Sequence, residues 1–171
     1  MRKKFIVFTM DDPLVTAFLI DKLIKTNHEI IKVYIMDNPK LSLRRIITIF
    51  FTYGFNFYIF LLKFIFWNIF FNGKILNILE KNRIDHQVLT KNDFFEIKKQ
   101  ISLIKPDFIF SIFCNLKIPN AILKLAKIKS INLHLGILPK YRGLMPTFYS
   151  MLNSERYTGY CIHEMNDVFD G

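Results

Sequence analysis

Short apolar runs alternate with amphipathic segments along most of the chain. Runs the length of one buried strand, each bounded by polar, glycine or proline residues, lie at 4–9, 30–36, 86–89, 108–113, 130–134 and 159–165. Segments with helical spacing or helix-boundary residues lie at 14–25, 73–81, 93–104, 118–126 and 147–153. This alternation predicts one α/β domain over residues 1–171, with a Rossmann-like, mostly parallel sheet flanked by helices.

The turn after the first predicted strand contains no glycine. In sheets of this kind, ligands bind beyond the carboxyl ends of the strands, and a dinucleotide site needs a Gly-x-Gly-x-x-Gly turn there. Residues 9–13 read Thr-Met-Asp-Asp-Pro instead. We therefore expect no NAD or FAD site at this turn.

Residues 46–71 depart from the alternation because they are predominantly apolar. The segment is long enough to suggest a transmembrane helix. Polar residues nevertheless fall at helical spacing on a single face, at Arg45, Thr48, Thr52, Asn56 and Lys63. We predict an amphipathic insertion at about 43–72 that does not span a bilayer. The apolar face of this insertion would contact a bilayer surface or partner protein, or the domain's own surface. A helix that does span the bilayer is the alternative to this prediction.

The composition supports a buried core and a reducing compartment. Apolar residues make up 51% of the chain, and Lys and Arg outnumber Asp and Glu by 24 to 14, which gives a formal charge of +10. This surplus suits phosphate, nucleic acid or anionic lipid, but a residue bias toward Lys, Ile, Asn and Phe explains it equally well. Cys114 and Cys161 form no Cys-x-x-Cys pair, so we expect no metal site. We expect a cytoplasmic location, with peripheral attachment to a membrane left open.

Asn132 and His134 stand two residues apart on the predicted strand 130–134. Side chains at this spacing point to one face of a sheet, about 6.6 Å apart along the strand. An amide beside an imidazole suits stabilisation of a carbonyl oxygen that gains charge, and the imidazole can also move a proton. Arg142, in the loop that follows, suits an anion. An Asn-x-His triplet on a strand is by itself more often structural than catalytic.

The residues around this pair form a more specific pattern. The motif Asn-x-His-x-x-x-Leu-Pro-Lys-Tyr-Arg-Gly-x-x-Pro occupies 132–146, and Thr158-Gly159, Ile162-His163-x-Met165 and Asp170-Gly171 follow it. This pattern resembles the formyltransferase family, whose members include methionyl-tRNA formyltransferase, glycinamide ribonucleotide transformylase and the sugar-nucleotide N-formyltransferases. The resemblance is specific over residues 106–171, topological over 1–36 and absent over 43–72.

The resemblance implies transfer of a formyl group from 10-formyltetrahydrofolate to a primary amine. The catalytic residues that it implies are Asn132, His134 and Asp170. Asn132 and His134 would donate hydrogen bonds to the oxygen of the attacked formyl group. Asp170 would hold the imidazole or a bridging water and draw the proton from the amine.

The resemblance also implies where the two substrates bind. The folate would lie against the segment after the fourth strand and the loop before Asp170, that is, Asn115, Leu116, Lys117, Ile118, Asn166, Asp167, Val168 and Phe169. Arg142 would bind a phosphate of the acceptor. We expect the acceptor to be an amino sugar nucleotide or a related small amine, and methionyl-tRNA is the alternative. A catalytically inactive, formyltransferase-like binding fragment is the alternative of another class.

The chain departs from the family's pattern in two places. Members often carry Pro-Ser after the histidine, where this chain has Leu135-Gly136, and we expect Gly136 to loosen that turn. The chain stops at Gly171, whereas the family's domain continues. We therefore expect an N-terminal catalytic domain that is truncated at its C-terminus and that transfers formyl groups more slowly than a completed domain. We expect His163, on the predicted strand 159–165, to be structural rather than in contact with substrate.

Overall fold

A computed structural model describes residues 2–11, 15–36, 59, 62, 66, 74–114, 116–143 and 146–166. The insertion predicted at about 43–72 therefore lies outside the described residues, except at three positions. Ile59, Leu62 and Phe66 are helical, and their side chains are exposed. No helix in the described part of the chain combines the length and the apolarity that crossing a membrane requires.

Strands and helices alternate along the described residues. Their order is β1 (Lys4–Met10), α1 (Thr16–Ile24), β2 (Glu29–Met36), α2 (Lys74–Lys81), β3 (Asp85–Leu89), a 3-10 turn (Lys91–Asp93), α3 (Phe94–Ile104), β4 (Phe108–Ile112), α4 (Asn120–Leu123), β5 (Lys129–His134), α5 (Pro146–Leu152) and β6 (Cys161–Glu164). The bounds of β1 to β5 agree with the predicted bounds to within one residue.

The strands form one sheet in the order β3-β2-β1-β4-β5-β6. Neighbours from β3 to β5 pair in parallel, and β6 pairs antiparallel with β5. The predicted mostly parallel α/β fold is thus confirmed. The chain builds outward from β1 to β3 and then adds β4 on the other side of β1. The carboxyl ends of β1 and β4 therefore border a topological switch point, the place where such sheets bind ligands.

Alternate residues of the central strands fill a core on each face of the sheet. On β1, Ile6 and Phe8 pack into one core and Val7 into the other, as the two-residue period of a strand requires. Helix α3 covers the first face with Ile97 and Ile101, which lie one turn apart and are fully buried. Helices α1 and α2 cover the second face.

The fourth helix and the sixth strand are shorter than predicted. The helix predicted at 118–126 is limited to Asn120–Leu123, because Pro119 before it has a non-helical backbone with φ −59° and ψ 140°. The chain then returns to the sheet, where Lys127 N–H donates to the Pro106 carbonyl at 2.9 Å. The strand predicted at 159–165 is limited to Cys161–Glu164, the four residues that pair with β5.

Candidate active site

A cavity of about 520 Å³ opens at the carboxyl ends of β1, β4 and β5. Its walls include Met10 from the end of β1, Ser111 from β4, Asn132 and His134 from β5, and His163 from β6. Small-molecule sites in proteins have volumes of about 300–1,000 Å³. The cavity therefore has the size and the position of a ligand site at the switch point.

Asn132 and His134 line the cavity from one face of β5. Asn132 lies opposite Ser111 on β4 and opposite His163 on β6. His134 is the last residue of β5 and is buried. The third residue implied at this site, Asp170, lies outside the described residues.

His134 is held through one ring nitrogen. Its Nε2 lies 2.6 Å from the backbone oxygen of Tyr141. A carbonyl oxygen only accepts hydrogen bonds, so Nε2 carries a proton and donates it. Nδ1 is the other ring nitrogen, and it carries a proton as well only in the imidazolium form.

Asn132 and His163 form a hydrogen bond across the β5–β6 pair. Asn132 Nδ2 lies 3.1 Å from His163 Nε2, and His163 Nδ1 lies 3.1 Å from the backbone oxygen of Glu164. The Glu164 carbonyl requires a proton on Nδ1, so in the neutral ring Nε2 accepts from the Asn132 amide. This arrangement orients the amide with its nitrogen toward β6.

The structure places His163 in the wall of the cavity, whereas the sequence favoured a structural role for this residue. The motif Ile162-His163-x-Met165 predicts that the histidine lies on a strand, and this is the one feature of the sequence that could have indicated its position in the cavity wall. The contact depends on the antiparallel register that sets His163 directly opposite Asn132. Register with a strand about thirty residues away is a tertiary property that local spacing does not carry.

Cys114 lines the cavity but is poorly suited to act as a nucleophile. Burial raises the pKa of its thiol to about 11, and the thiol donates to the Leu116 carbonyl at 3.3 Å. The thiolate is the reactive form of cysteine, and it is scarce at neutral pH when the pKa is that high. Cys114 thus behaves as a small apolar side chain in the cavity wall.

The residues expected to bind folate divide into two groups. Those that line the cavity are Leu116, Lys117, Ile118 and Asn166. Those that lie outside the described residues are Asn115, Asp167, Val168 and Phe169. Ile118 is buried in the core under α3, and Leu116 packs against the same core. The two apolar residues of this wall, Leu116 and Ile118, are therefore supported by the core.

Arg142 is exposed and is not among the described residues that line the cavity. Its neighbour Gly143 does line the cavity and has a φ of 81°, a conformation that glycine adopts at little cost. The guanidinium expected to bind an anion therefore belongs to a residue beside the cavity wall.

Gly136 is packed tightly, so the expectation that it loosens the turn after β5 is wrong. A Cβ at this position would lie 2.5 Å from Pro146 Cβ, 2.9 Å from His134 Nε2 and 3.0 Å from the Tyr141 oxygen. Such distances are far below ordinary van der Waals contact. Glycine is thus required here for the close approach of these three residues.

Comparison with known proteins gives a consistent family assignment. A family model described as formyl transferase matches residues 73–171, more than half of the chain. Methionyl-tRNA formyltransferase of Ehrlichia chaffeensis is 34% identical over an alignment of 106 positions that covers 57% of this chain and 34% of that protein. GDP-perosamine N-formyltransferase of Brucella melitensis biotype 1 is 43% identical over 65 residues, 38% of this chain and 25% of that protein. The chain spans about a third or less of the length of these curated relatives.

Solved structures share the fold at low sequence identity. Glycinamide ribonucleotide transformylase 1 from Symbiobacterium toebii has a TM-score of 0.67 at 10% identity, covering 99% of this chain and 68% of that one. A formyltetrahydrofolate deformylase from Pseudomonas syringae pv. tomato has a TM-score of 0.66 at 12% identity, and the match covers 99% of this chain and 48% of that one. At such identities the likeness shows the fold alone.

Proposed function

The chain belongs to the formyl transferase family, and from this premise we propose that it transfers a formyl group from 10-formyltetrahydrofolate to a primary amine. One observation carries the proposal: Asn132 and His134 line a single cavity, and each is held by a hydrogen bond to another residue. Such preorganised donors are the main requirement for stabilising an oxygen that gains charge during acyl transfer.

Asn132 and His134 meet the forming negative charge from two directions in the proposed mechanism. The Asn132 nitrogen carries two hydrogens, of which one points to His163 Nε2. In the proposal, the Asn132 amide donates to the formyl oxygen as the amine attacks the formyl carbon. His134 donates to the same oxygen through Nδ1 in its imidazolium form, because Nε2 donates to Tyr141. Each preorganised donor of this kind contributes about 10²–10³ in rate.

We assign the transfer of the amine's proton to Asp170. The attacking amine must lose a proton as it forms the new C–N bond, and a carboxylate within hydrogen-bond reach, directly or through one water, accepts it. The carboxyl then returns a proton to the folate nitrogen as the bond from that nitrogen to the formyl carbon breaks, which releases tetrahydrofolate. Asp170 follows the cavity residue Asn166 by four positions in the sequence. Its assignment rests on the resemblance of the Asp170-Gly171 pair to the family's pattern.

The chemistry of the cavity fits a reduced folate as the donor substrate. Leu116, Ile118 and Met165 give apolar contact area, and Lys117 and Asn166 add polar groups at the same wall. An apolar pocket with a few polar groups is the general design of sites for drug-sized ligands such as a pterin. The donor supplies the formyl carbon, and these residues hold it beside Asn132 and His134.

We propose that the acceptor is an amino sugar nucleotide. Arg142 is exposed next to Gly143, which lines the cavity, and this supports a role for its guanidinium in pairing with a phosphate of an acceptor that extends beyond the cavity. The formal charge of +10 is compatible with an anionic acceptor. A relative that is 43% identical is named GDP-perosamine N-formyltransferase, and its name is consistent with this choice.

A direct assay separates the acceptors. The purified chain is incubated with 10-formyltetrahydrofolate and, in separate arms, an amino sugar nucleotide or methionyl-tRNA, and the mass of each acceptor is measured. We expect a formyl adduct on the sugar nucleotide, formed about 10²–10³ times more slowly when His134→Ala replaces the parental chain. An adduct on the tRNA alone would keep the reaction and replace the acceptor. Folate binding without an adduct in either arm would favour the inactive binding fragment over the enzyme.

A further inference from the structure

Tyr141 connects His134 to a polar cluster at the far end of its own side chain. The residue is buried, with 7% of its surface exposed. Its hydroxyl donates to Glu155 Oε1 at 2.8 Å and accepts from Asn153 Nδ2 at 3.3 Å. Lys140 Nζ binds the same oxygen of Glu155. The ring end of Tyr141 is therefore fixed by residues that follow α5 in the chain.

The backbone end of Tyr141 is fixed as well. Its N–H donates to the Ile137 carbonyl at 3.1 Å, and its own carbonyl accepts from His134 Nε2 at 2.6 Å. One residue thus carries both contacts, and its ring has little freedom to move inside the packed interior. A shift of the ring would consequently move the carbonyl that holds His134.

Gly136 allows the carbonyl to approach the histidine. A Cβ at position 136 would lie 2.9 Å from His134 Nε2 and 3.0 Å from the Tyr141 oxygen, the two atoms of the hydrogen bond. The same Cβ would lie 2.5 Å from Pro146 Cβ. A side chain at this position would therefore press on the hydrogen bond from one side, and the rigid Pro146 would block its escape on the other.

We infer that Glu155 is a positioning residue for His134, an inference that rests on the proposed function. Glu155 acts through Tyr141, whose carbonyl can approach His134 because Gly136 has no side chain beside them. Glu155 does not line the cavity that the described residues enclose, so it acts on the chemistry only through Tyr141. Its carboxylate fixes the Tyr141 hydroxyl, and the Tyr141 carbonyl in turn fixes the proton of His134 on Nε2.

The consequence for His134 is a single neutral tautomer and a single ring orientation. With Nε2 protonated, the neutral ring presents an acceptor at Nδ1, and protonation turns that same atom into the donor for the forming oxyanion. Without the Tyr141 carbonyl, the hydrogen bond that holds the proton on Nε2 is lost, and the Nδ1–H tautomer gains population. A misplacement of about 1 Å in a reacting group costs on the order of a hundredfold in rate.

The ionised state of Glu155 suits this role. Hydrogen bonds from Lys140 and then from Tyr141 hold the pKa of Glu155 below its usual range. The same bond to Glu155 raises the pKa of Lys140. At neutral pH the carboxylate is therefore an acceptor only, and the Tyr141 hydroxyl must donate to it.

The test is nitrogen NMR of the histidine side chains in the full chain. The tautomer of His134, assigned with His134→Gln, is read from its two ring nitrogen shifts in the parental chain and in Glu155→Ala, Tyr141→Phe and Gly136→Ala. We expect His134 to be held as the Nε2–H form in the parental chain. We expect the ratio of Nε2–H to Nδ1–H forms to fall about fivefold in each variant, the effect of losing roughly one net hydrogen bond.

Matched controls distinguish positioning from general damage. Asp21→Ala breaks a carboxylate–lysine pair of 2.6 Å on α1, away from the cavity, and should leave the His134 shifts unchanged. Gly159→Ala adds a Cβ in ordinary contact, 3.4 Å from Ile137 Cγ1, and should also leave them unchanged. Glu155→Gln keeps an oxygen that accepts from Tyr141 and should restore most of the Nε2–H form.

The outcome does not depend on turnover, so the inference and the proposed function fail separately. A His134 tautomer ratio in Glu155→Ala equal to that of the parental chain would overturn the positioning role, even if formyl transfer is observed. A changed ratio that Glu155→Gln restores supports the role, even if no acceptor is formylated. If Gly136→Ala does not fold, Glu155→Ala and Tyr141→Phe give the same decision, because each removes a contact without adding atoms.

Discussion

Hydrogen bonds to other residues hold both Asn132 and His134 in the cavity wall. Tyr141 holds Nε2 of His134, and His163 orients the nitrogen of Asn132. Both partners are themselves bonded to further groups, His163 to the Glu164 carbonyl and Tyr141 to Glu155. The site is thus supported by a second set of contacts, which reduces the reorganisation needed during reaction.

Removal of either donor tests the site at the level of one residue. We expect Asn132→Ala and His134→Ala each to lower kcat by about 10²–10³, the usual loss when one oxyanion donor is removed. His28→Ala is the matched control, since His28 is an exposed histidine outside the cavity wall, and it should keep the parental rate. The measurement is steady-state formylation of the acceptor. A kcat for His134→Ala within a few-fold of the parental value would contradict the assignment.

The carboxyl of Glu155 gives a pH dependence with a defined sign. Hydrogen bonds from Lys140 and Tyr141 hold its pKa below the usual range. A carboxyl whose pKa is lower in the folded than in the unfolded chain stabilises the fold above the unfolded-state pKa, and the contribution disappears as the pH falls through the folded-state pKa. We therefore expect Glu155→Gln to lower the Tm at neutral pH and the difference to vanish in acid. Thermal unfolding followed from neutral to acid pH measures it; an equal difference throughout would be inconsistent with a depressed pKa.

At the level of elements, the carboxyl end of β5 and the amino end of β6 meet at the site because the two strands run in opposite directions. The last residue of β5, His134, pairs with the first residue of β6, Cys161. Leu138 N–H, in the loop after β5, lies 3.4 Å from Cys161 Sγ. The loop between Leu135 and Gly143 is thereby held over the strand pair, in the place where its Tyr141 carbonyl reaches His134.

Helix α3 allows a test of the core that supports Leu116 and Ile118 in the cavity wall. Ile101 is fully buried under the sheet, whereas Phe95 on the same helix is 85% exposed. We expect Ile101→Ala to lower the free energy of unfolding by about 2–5 kcal/mol, through lost burial and the cavity left behind. Phe95→Ala should change it by less than about 0.5 kcal/mol, as surface substitutions usually do. Urea unfolding of both variants provides the measurement. Equal losses would mean that α3 does not pack as described.

At the level of the whole molecule, the sheet topology gathers residues from distant parts of the chain at one end. Met10, Ser111 and Asn132 come from three parallel strands and face one cavity. The fold matches solved transformylase structures with TM-scores such as 0.67. The amphipathic character predicted for the insertion at about 43–72 stays a prediction, since only three of its residues are described.

The ligand preference of the whole domain can be measured without an acceptor. We expect a stable reduced-folate analogue to bind and to stabilise the fold, by about 2.7 kcal/mol at a concentration 100 times its Kd. We expect no such effect from NAD, because residues 9–13 lack the glycines of a dinucleotide turn. Calorimetry and thermal shift with both compounds give the comparison. Binding of NAD without binding of the folate analogue would overturn the assignment of the cavity.

The sequence by itself determined the strands and the facing of Asn132 and His134. Apolar runs closed by turn residues locate β1 to β5, because a buried strand needs a short apolar run and a loop needs polar or special residues. A spacing of two places the Asn132 and His134 side chains on one face, because successive side chains of a strand alternate. The motif around them led to the family.

Only the tertiary structure decided which partners hold these two residues. His163 reaches Asn132 through the register of β6, Tyr141 reaches His134 through the fold of a loop, and Glu155 reaches Tyr141 from beyond α5. The need for glycine at position 136 likewise follows from Pro146, His134 and Tyr141 meeting around it. Such contacts depend on how distant segments pack, and local periodicity reports only the face that a residue turns to the core, not the atom that it meets there.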